Sequence, residues 1–309
     1  MASKLWYYGR KILGRRGTFL VRNMISSLAY SLRLVPPATS LNREDGITAM
    51  VCTYNESDWI EPSLLSIKDL VDEYIVVDSS TDETPQIIEN IAREYGLNVK
   101  LYHLPWGDLV KARNLALKKS KYKWILHWDG DFIASDEMSS YVKDLINSLD
   151  SNRYYLIYWP MVCLDIDIFH QSPRFPIHIE HWLFTYSDKL YYKWINVYDT
   201  LIAPLRYYKS IYIDKILGMH LRTVRNPVRL LYKYLWWLMR NEGLDKKMDI
   251  DTYVKIKVKE VFNTNDIEEA AKIYVEERLR KLVRYDRNKY IDYPRILKDY
   301  VKRKYGITL

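Results

Sequence analysis

Cysteine and glutamine are scarce in this chain of 309 residues, which has only two of each. Cys52 and Cys163 both lie in apolar runs and lack ligand-like spacing. A disulfide framework or a zinc site is therefore not expected, and a reducing compartment fits. The scarcity of glutamine, beside abundant Lys, Arg and Tyr, is compatible with a thermophilic source.

Long apolar runs are lacking as well. No run of about 18 uninterrupted apolar residues occurs, so no membrane-spanning helix is expected. The N-terminus has neither the long apolar core nor the cleavage site of a secretory signal. The sequence predicts a cytoplasmic protein, which could still associate peripherally with the cytoplasmic face of a membrane.

Acidic residues are absent from residues 1–40. The cations there carry +7 of the formal net charge of +8 and leave +1 for everything after. They are Lys4, Arg10, Lys11, Arg15, Arg16, Arg22 and Arg33. A second acid-free basic stretch runs from Arg222 to Arg240. The middle of the chain is thus close to neutral, which argues against nucleic acid as a partner.

Residues 3–34 have the pattern of an amphipathic basic helix that Pro36 and Pro37 bring to an end. Apolar pairs recur every seven residues, at Leu5-Trp6, Ile12-Leu13 and Phe19-Leu20. Two alternatives remain open for this helix. It lies on an anionic membrane surface, or it packs its apolar stripe on the main domain.

From Gly46 the pattern changes to short apolar strands that alternate with helices. Strands are expected at 47–52, 74–77, 99–103 and 124–128, and helices at 61–70, 84–95 and 109–119. The alternation predicts an α/β fold with a doubly wound, mostly parallel sheet and flanking helices. Farther along we expect a helix at 137–149, a strand at 154–163, an irregular aromatic region at 165–220, and helices at 228–242, 251–262, 266–285 and 293–304.

Two acids, Asp129 and Asp131, flank Gly130 at the expected end of the fourth strand. Carboxylates at that spacing suit a hard divalent cation such as Mg2+ or Mn2+. A surface turn is the alternative, since Asp-Gly-Asp is also a turn sequence. Polar clusters at 53–56 and 78–82 follow other strands, and ligands of such sheets bind beyond the strands' carboxyl ends. This convergence favours a metal site.

Four motifs in this part of the chain resemble those of family 2 glycosyltransferases of the GT-A fold. In chain order they are Thr53-Tyr54-Asn55-Glu56, Val76-Val77-Asp78-Ser79-Ser80-Thr81-Asp82, Ala112-Arg113-Asn114 and Asp129-Gly130-Asp131. The resemblance covers about residues 46–135 and is weaker from 150 to 220. It implies a metal-dependent, inverting transferase that moves a sugar from a UDP- or GDP-linked donor to an acceptor hydroxyl.

The resemblance also implies an organisation. A basic N-terminal segment at 1–45 precedes a catalytic domain at 46–222, and a helical region follows at 223–309. Within the catalytic domain, residues 46–135 would form the nucleotide-sugar half and residues 136–222 the acceptor half.

The same resemblance assigns roles on the donor side. Tyr54 would lie against the nucleobase, and Asp78 would accept from its ring N–H. Arg113 would face the diphosphate, because its planar fork matches phosphate oxygens. The rest of the nucleoside pocket would be shaped by Thr53, Asn55 and Glu56.

Asp131 would be the direct ligand of Mn2+ or Mg2+, whereas Asp129 would contact the ribose or a metal-bound water and is a further candidate ligand. His220 resembles the family's downstream histidine that completes the metal site. Imidazole is a tolerable ligand for Mn2+ and a poorer one for Mg2+. The ion would neutralise charge on the leaving nucleoside diphosphate.

An inverting transfer also needs a carboxylate base near the attacking hydroxyl. Residues 193–199 resemble a family segment that ends in Val-His-Glu, which puts Asp199 in the place of the Glu and Tyr198 in the place of the His. Glu180, between His178 and His181, is the alternative base.

Two other classes of protein remain open. A nucleotidyltransferase also uses paired acids, but it would normally have a Gly-rich basic loop after the first strand, where this chain has residues 54–57. A membrane or nucleic-acid binding module with a decayed core would use the basic N-terminus and residues 232–237. For the transferase, these basic, aromatic segments favour a glycan or lipid-linked acceptor near an anionic membrane.

Overall fold

The structure is a computed structural model that describes residues 2–105, 108–195 and 198–309, with side chains described from Gly17 onward in these ranges. The helices are α1 (Ala2–Ser31), α2 (Ile60–Ser66), α3 (Thr84–Tyr95), α4 (Leu109–Lys119), α5 (Met138–Ser148), α6 (Pro227–Asn241), α7 (Ile250–Phe262), α8 (Ile267–Leu279) and α9 (Arg295–Tyr305), with a short 3-10 helix at Ala38–Leu41.

The strands of the first half are β1 (Glu44–Thr53), β2 (Glu73–Asp78), β3 (Val99–His103), β4 (Tyr122–Asp129), β5 (Phe132–Ala134) and β6 (Tyr154–Cys163). Those that follow are β7 (His170–Gln171), β8 (Ile177–Thr185), β9 (Tyr191–Ile195), β10 (Tyr198–Ile202), β11 (Tyr208–Tyr212), β12 (Gly218–His220) and β13 (Val283–Arg284).

A nine-stranded sheet forms the centre, in the order β3-β2-β1-β4-β8-β6-β12-β5, and β11 adds to the side of β6. The first four strands are parallel, whereas β8 runs antiparallel to both β4 and β6. Five of the eight strand pairs in this sheet are parallel. The predicted α/β fold, with a mostly parallel sheet and flanking helices, is confirmed.

Successive residues of β1 face opposite sides of the sheet. Ala49 and Val51 join an apolar cluster with α2, α3 and α5, whereas Met50 joins a second cluster with α1 and α4. Both faces are therefore covered, as is typical of parallel strands connected by helices. This burial explains why β1 and β2 appear in the sequence as continuous apolar runs.

The register of the parallel strands brings their polar ends to one edge of the sheet. Thr53 of β1 pairs with Asp78 of β2, and Cys52 of β1 pairs with Asp129 of β4. The three predicted strand-end clusters therefore meet at the same place, where ligands of such sheets bind.

Local signals at the helix ends agree with the structure. α3 has Pro85 in its first turn and ends at Gly96, whose φ of 65° is the left-handed conformation that glycine adopts without strain. α6 begins after Asn226, whose side chain accepts from the backbone N–H groups of Val228 and Arg229, and Pro227 follows that cap.

The helix predicted at 266–285 was too long. α8 ends at Leu279, and Val283 and Arg284 instead form β13, which pairs antiparallel with Gln171 and His170 of β7. Pairing with a strand more than 100 residues away removes these residues from the helix.

α1 is kinked at Gly14, where φ is 64°. Its described part packs on the sheet near β11: Thr18, Arg22, Ser26 and Ala29 are buried, and the Phe19 ring centre lies 4.6 Å from that of Tyr158. The Asn23 side chain donates to the Ser210 carbonyl at 2.9 Å and accepts from the Ser210 N–H at 2.7 Å. The helix thus contacts the domain. Of its predicted apolar stripe, Phe19 takes part in this contact and Leu20 is exposed, whereas the side chains of Leu5, Trp6, Ile12 and Leu13 lie outside the described ones.

The outer face of the same helix is apolar and exposed. Leu20, Met24, Leu28 and Leu32 follow one another at four-residue spacing, and each is 59–64% exposed. Within the described ranges, no helix is both long enough and apolar enough to cross a bilayer.

Candidate active site

A cavity of about 670 Å³ opens at the carboxyl ends of β1 and β4 and extends to α6. One wall comes from the strand ends and α4, and the opposite wall comes from α6 and the loop before it. Residues of the first wall include Thr53, Tyr54, Asn55, Glu56, Arg113, Asp129, Asp131 and His220. Those of the second include Arg222, Arg225, Arg229, Lys233, Trp236 and Trp237.

Asp78, the predicted acceptor for the base ring, is 1% exposed. Its carboxylate accepts from Thr53 Oγ1 at 2.7 Å, from Ser80 Oγ at 2.6 Å and from the Ser80 N–H at 3.0 Å. Thr53 and Ser79 line the cavity beside it, whereas Asp78 lies behind them. In this structure Asp78 joins the ends of β1 and β2.

Tyr54 lies on the cavity wall and is 41% exposed, so its ring is accessible to a planar ligand. Asn55 adopts a left-handed φ of 54°, and its side-chain oxygen accepts from the Thr81 N–H at 2.8 Å. Its amide therefore connects the loops after β1 and β2 and fixes the position of Tyr54.

Arg113 on α4 is the centre of a buried ion-pair network and is 4% exposed. Its Nη2 donates to Asp129 Oδ1 at 2.7 Å, and its Nε donates to Asp199 Oδ2 at 3.1 Å. Burial alone would lower the pKa of Arg113, but the two carboxylates outweigh it and hold that pKa well above its ordinary value. Its buried Nη1 has no hydrogen-bond partner among the described residues. Nη1 is thus a buried, unpaired donor of a residue that lines the cavity.

Asp131 lies in a second network and is 5% exposed. Its Oδ2 accepts from Arg225 Nη2 at 2.8 Å and lies 3.6 Å from His220 Nε2. Arg225 Nη1 also donates to Glu56 Oε1 at 3.0 Å. Gly130 allows this approach, because a Cβ there would lie 3.0 Å from the Glu56 side chain.

The pKa values of the buried acids in these two networks shift in different directions. Burial would raise the pKa of Asp131, but His220 and Arg225 outweigh it and hold the pKa below its ordinary value. Burial opposes protonation of His220, but Asp131 raises the pKa of that imidazole to about 9. Burial dominates for Glu56 and Asp129, and their pKa values are raised despite Arg225 and Arg113.

The geometry permits a divalent cation with two protein ligands. The 3.6 Å between Asp131 Oδ2 and His220 Nε2 is compatible with two ligands that each lie about 2.1 Å from one ion. Asp129, the further candidate ligand, pairs with Arg113 instead, and the described residues include no group of three or more His, Cys, Asp or Glu side chains that could hold an ion. Phosphate oxygens of a substrate would have to complete the coordination, as is usual for Mg2+.

The sequence did not predict the α6 wall as part of this site. Arg225, Arg229 and Lys233 are spaced by four residues, which puts all three on the cavity side of the helix start. Arg229 pairs with Asp82 at 2.9 Å. Lys233 forms no ion pair among the described residues, and burial together with the charge of Arg225 lowers its pKa. The acid-free stretch Arg222–Arg240 was the available signal, but it suggested an outer surface.

Aromatic side chains form the far end of the cavity. Trp194 of β9 faces Trp236 and Trp237 of α6, and Arg240 holds them together. The Arg240 guanidinium carbon lies 4.3 Å from the Trp194 ring centre and 4.9 Å from that of Trp236. These cation–π contacts attach the β9–β10 hairpin to α6.

Neither candidate base lines the cavity. Asp199 on β10 lies opposite Trp194 and contacts Arg113, both of which do line it. Glu180 on β8 contacts His181 Nδ1 at 2.5 Å, and although burial opposes ionisation, His181 and His178 lower the pKa of Glu180 to about 2. A carboxylate with so low a pKa is a weak base.

The family model described as "Glycosyl transferase family 2" matches residues 48–212, which is more than half of the chain. The chain belongs to glycosyl transferase family 2. The match covers most of β1, all of β2, β3 and β4, and the β9–β10 hairpin. It includes the acids Glu56, Asp129, Asp131 and Asp199, but it ends before His220, Arg225 and α6.

Curated relatives are named glycosyltransferases. An "uncharacterized glycosyltransferase" of Rickettsia bellii is 36% identical over 109 residues, which are 35% of this chain and 35% of that protein. One of Rickettsia felis is 35% identical over 109 residues, which are 35% of this chain and 36% of that protein. The matched segment thus spans about a third of these relatives' length.

Solved structures with a similar course of the chain include the following two. The mannosyltransferase PcManGT from Pyrobaculum calidifontis, solved with GDP-Man and Mn2+, is 16% identical at a TM-score of 0.43, with 85% of each chain covered. TarS 1–349 from S. aureus is 17% identical at a TM-score of 0.40, with 76% of this chain and 91% of that one covered. Family membership rests on the match over residues 48–212.

Proposed function

We propose that this protein is a metal-dependent, inverting glycosyltransferase that transfers a sugar from a UDP- or GDP-linked donor to an acceptor hydroxyl. The observation that carries the proposal is the pairing of a family 2 match with two acid-and-arginine networks at the edge of one cavity. At this edge of the cavity, Asp131 offers oxygen ligands, Arg113 offers a fixed cation and Tyr54 offers the face of a ring.

The donor would bind with its nucleoside against Tyr54 and the strand ends, and with its diphosphate toward the α6 wall. Arg113 Nη1 and Lys233 have no carboxylate partner among the described residues, so they could contact phosphate oxygens without first breaking an ion pair. Phosphate contacts of this kind replace lost hydration in a buried site.

A bound Mn2+ or Mg2+ would neutralise negative charge on the leaving nucleoside diphosphate. Asp131 and His220 would hold it, and Asp129 would keep Arg113 oriented. Arg113 in turn orients Asp199, which we prefer as the base that takes the acceptor's proton. Glu180, whose carboxylate contacts His181, is the alternative.

The test is release of nucleoside diphosphate from a panel of UDP- and GDP-sugars with Mn2+. Asp131→Asn should lower the rate by at least about a hundredfold, since removing one electrostatic contact to a developing charge costs this much. Asp199→Asn should lower the rate similarly, while Glu180→Gln keeps most of it. Release of pyrophosphate from a nucleoside triphosphate and a sugar phosphate, without release of nucleoside diphosphate from the sugar panel, would favour the nucleotidyltransferase alternative. Equal rates in Asp131→Asn would contradict the proposal.

We further propose that the acceptor is a glycan or lipid-linked molecule at the cytoplasmic face of an anionic membrane, to which the protein binds peripherally. Support comes from α1, whose outward face is the exposed stripe Leu20, Met24, Leu28 and Leu32. Residues 1–40, which include this helix, have seven cations and no acid. An apolar face beside excess positive charge suits a bilayer that contains anionic lipid.

Co-sedimentation with vesicles tests this partner. The double variant Met24→Glu, Leu28→Glu should bind vesicles with anionic lipid at least about tenfold more weakly, because each buried apolar side chain contributes about 1.5–3 kcal/mol. Val261→Glu is the matched control, since Val261 is a 54% exposed apolar residue on α7. Equal loss in the control, or unchanged binding in the double variant, would contradict a membrane-binding role for α1.

A further inference from the structure

Arg225 is a buried cation that already occupies the predicted metal corner. It lies in the loop between β12 and α6, and its side chain is 7% exposed. Its two terminal nitrogens contact two acids, Asp131 at 2.8 Å and Glu56 at 3.0 Å. Arg225 lies beyond residue 212, where the family match ends.

The contact with Asp131 uses the carboxylate oxygen that faces His220. That oxygen, Oδ2, is 2.8 Å from Arg225 and 3.6 Å from His220 Nε2. Arginine keeps its charge at every accessible pH. A divalent cation bound to the same oxygen would therefore be repelled by Arg225, whose charge cannot be removed by deprotonation. Like charges are poorly screened in a buried site.

We propose that Arg225 couples binding of the divalent cation to binding of the donor's diphosphate. The inference rests on the proposed function and deepens it. Without nucleotide, Arg225 neutralises Asp131 and Glu56 and disfavours the metal ion. The diphosphate supplies negative charge that Arg225 can contact, so Asp131 becomes available to the ion when donor and metal are both present.

One unpaired atom is consistent with this exchange of partners. The buried Nε of Arg225 has no hydrogen-bond partner among the described residues, while both terminal nitrogens are paired with acids. A guanidinium edge made of Nε and one terminal nitrogen matches two phosphate oxygens. Arg225 Nε is thus a donor that an anion could accept from.

Mn2+ binding to the full chain, followed by electron paramagnetic resonance with and without UDP or GDP, tests the proposal. The wild type should bind Mn2+ at least about tenfold more tightly with the matching nucleotide. Arg225→Gln should bind Mn2+ alone more tightly than the wild type, so that the nucleotide adds little. Arg225→Lys keeps the charge and should retain most of the coupling.

Arg303→Gln is the control, because it also removes one arginine charge, while Arg303 on α9 pairs with Glu61 and is not among the residues that line the cavity. It should leave Mn2+ affinity in the absence of nucleotide unchanged. Melting curves of each variant show whether it is folded. If Arg225→Gln does not fold, Arg225→Lys still tests the proposal. Loss of coupling in a folded Arg225→Lys would overturn it.

Unchanged or weaker Mn2+ binding in a folded Arg225→Gln would also overturn it. Titration of nucleotide alone distinguishes failure of the role of Arg225 from failure of the proposed function. If UDP or GDP binds but Mn2+ shows no coupling to it in the wild type, only the role of Arg225 fails. If neither nucleotide binds with or without Mn2+, the proposed function itself fails.

Discussion

Replacement of Arg113 by methionine should destabilise the fold far more than its single position on α4 suggests. The side chain is 4% exposed and lies between Asp129 and Asp199, at 2.7 and 3.1 Å. Methionine keeps much of the volume but removes the cation. Two carboxylates are then left partly buried without their partner.

Breaking a buried ion pair by removing one partner costs about 3–5 kcal/mol. Asp129 and Asp199 retain 29% and 22% side-chain exposure, so the lower end, about 3 kcal/mol, is expected. For a chain of this size that corresponds to a fall in Tm of about 6 °C. Arg229→Met is the control, since Arg229 is 27% exposed and its more solvated pairs should contribute only about 1 kcal/mol.

The pH dependence provides a second check. Burial raises the pKa of Asp129 already in the wild type, where Arg113 opposes it, so loss of Arg113 raises that pKa further. A carboxyl with a folded-state pKa above its unfolded value stabilises the fold at low pH and loses this contribution as pH rises. The Tm difference between wild type and Arg113→Met should therefore shrink from pH 8 to pH 5.

Adding Asp129→Asn to Arg113→Met should recover part of the lost stability, because one uncompensated charge is removed. Thermal unfolding followed by circular dichroism measures all four proteins. A Tm loss no larger than that of Arg229→Met, or a difference that widens toward pH 5, would refute the account of this network.

Two further predictions concern the α6 wall and β12. Lys233→Met should weaken UDP or GDP binding about tenfold in calorimetric titration, because a cation without a carboxylate partner is lost from the wall. Lys233→Arg retains the charge and should keep most of the affinity. Equal nucleotide affinities of Lys233→Met and the wild type would contradict the assignment. Gly218→Ala should lower the Tm and the Mn2+ affinity together, because its Cβ would lie 2.7 Å from the Ile133 carbonyl oxygen and β12 must shift with His220; a Tm equal to wild type would show that the strand adapts.

The sequence predicted the sheet and its polar edge because the signals are local. Apolar runs of strand length, Pro85 and Gly96 around α3, and acids after β4 each depend on a few neighbouring residues. The α/β alternation then implies that the strand ends meet. For these reasons the polar edge with Asp129 and Asp131 could be chosen before any coordinates, whereas the roles of Asp78 and Arg113 came from the family resemblance.

Contacts between distant segments could not be predicted in this way. Arg225 reaches Glu56 across 169 residues of chain, and nothing in the spacing of Arg222–Arg240 shows that this basic face turns inward. Likewise, the pairing of β13 with β7 ends α8 early.

α1 gives a third case. Its amphipathic pattern is evident in the sequence, but the face that packs is chosen by Asn23 and Ser210, which are 187 residues apart. Long-range hydrogen bonds of this kind help to decide which side chains of the helix are buried, so that Phe19 packs on Tyr158 whereas Leu20 is exposed.

The central claim is that the cavity binds a nucleotide-sugar donor through the Asp131 corner. Calorimetric titration of UDP and GDP, with Mn2+, into wild type and Asp131→Asn tests it most directly. We expect one nucleotide to bind the wild type and Mn2+ to strengthen that binding, and we expect Asp131→Asn to lose the Mn2+-dependent part. Absence of binding by both nucleotides, or equal Mn2+-dependent binding in Asp131→Asn, would contradict it.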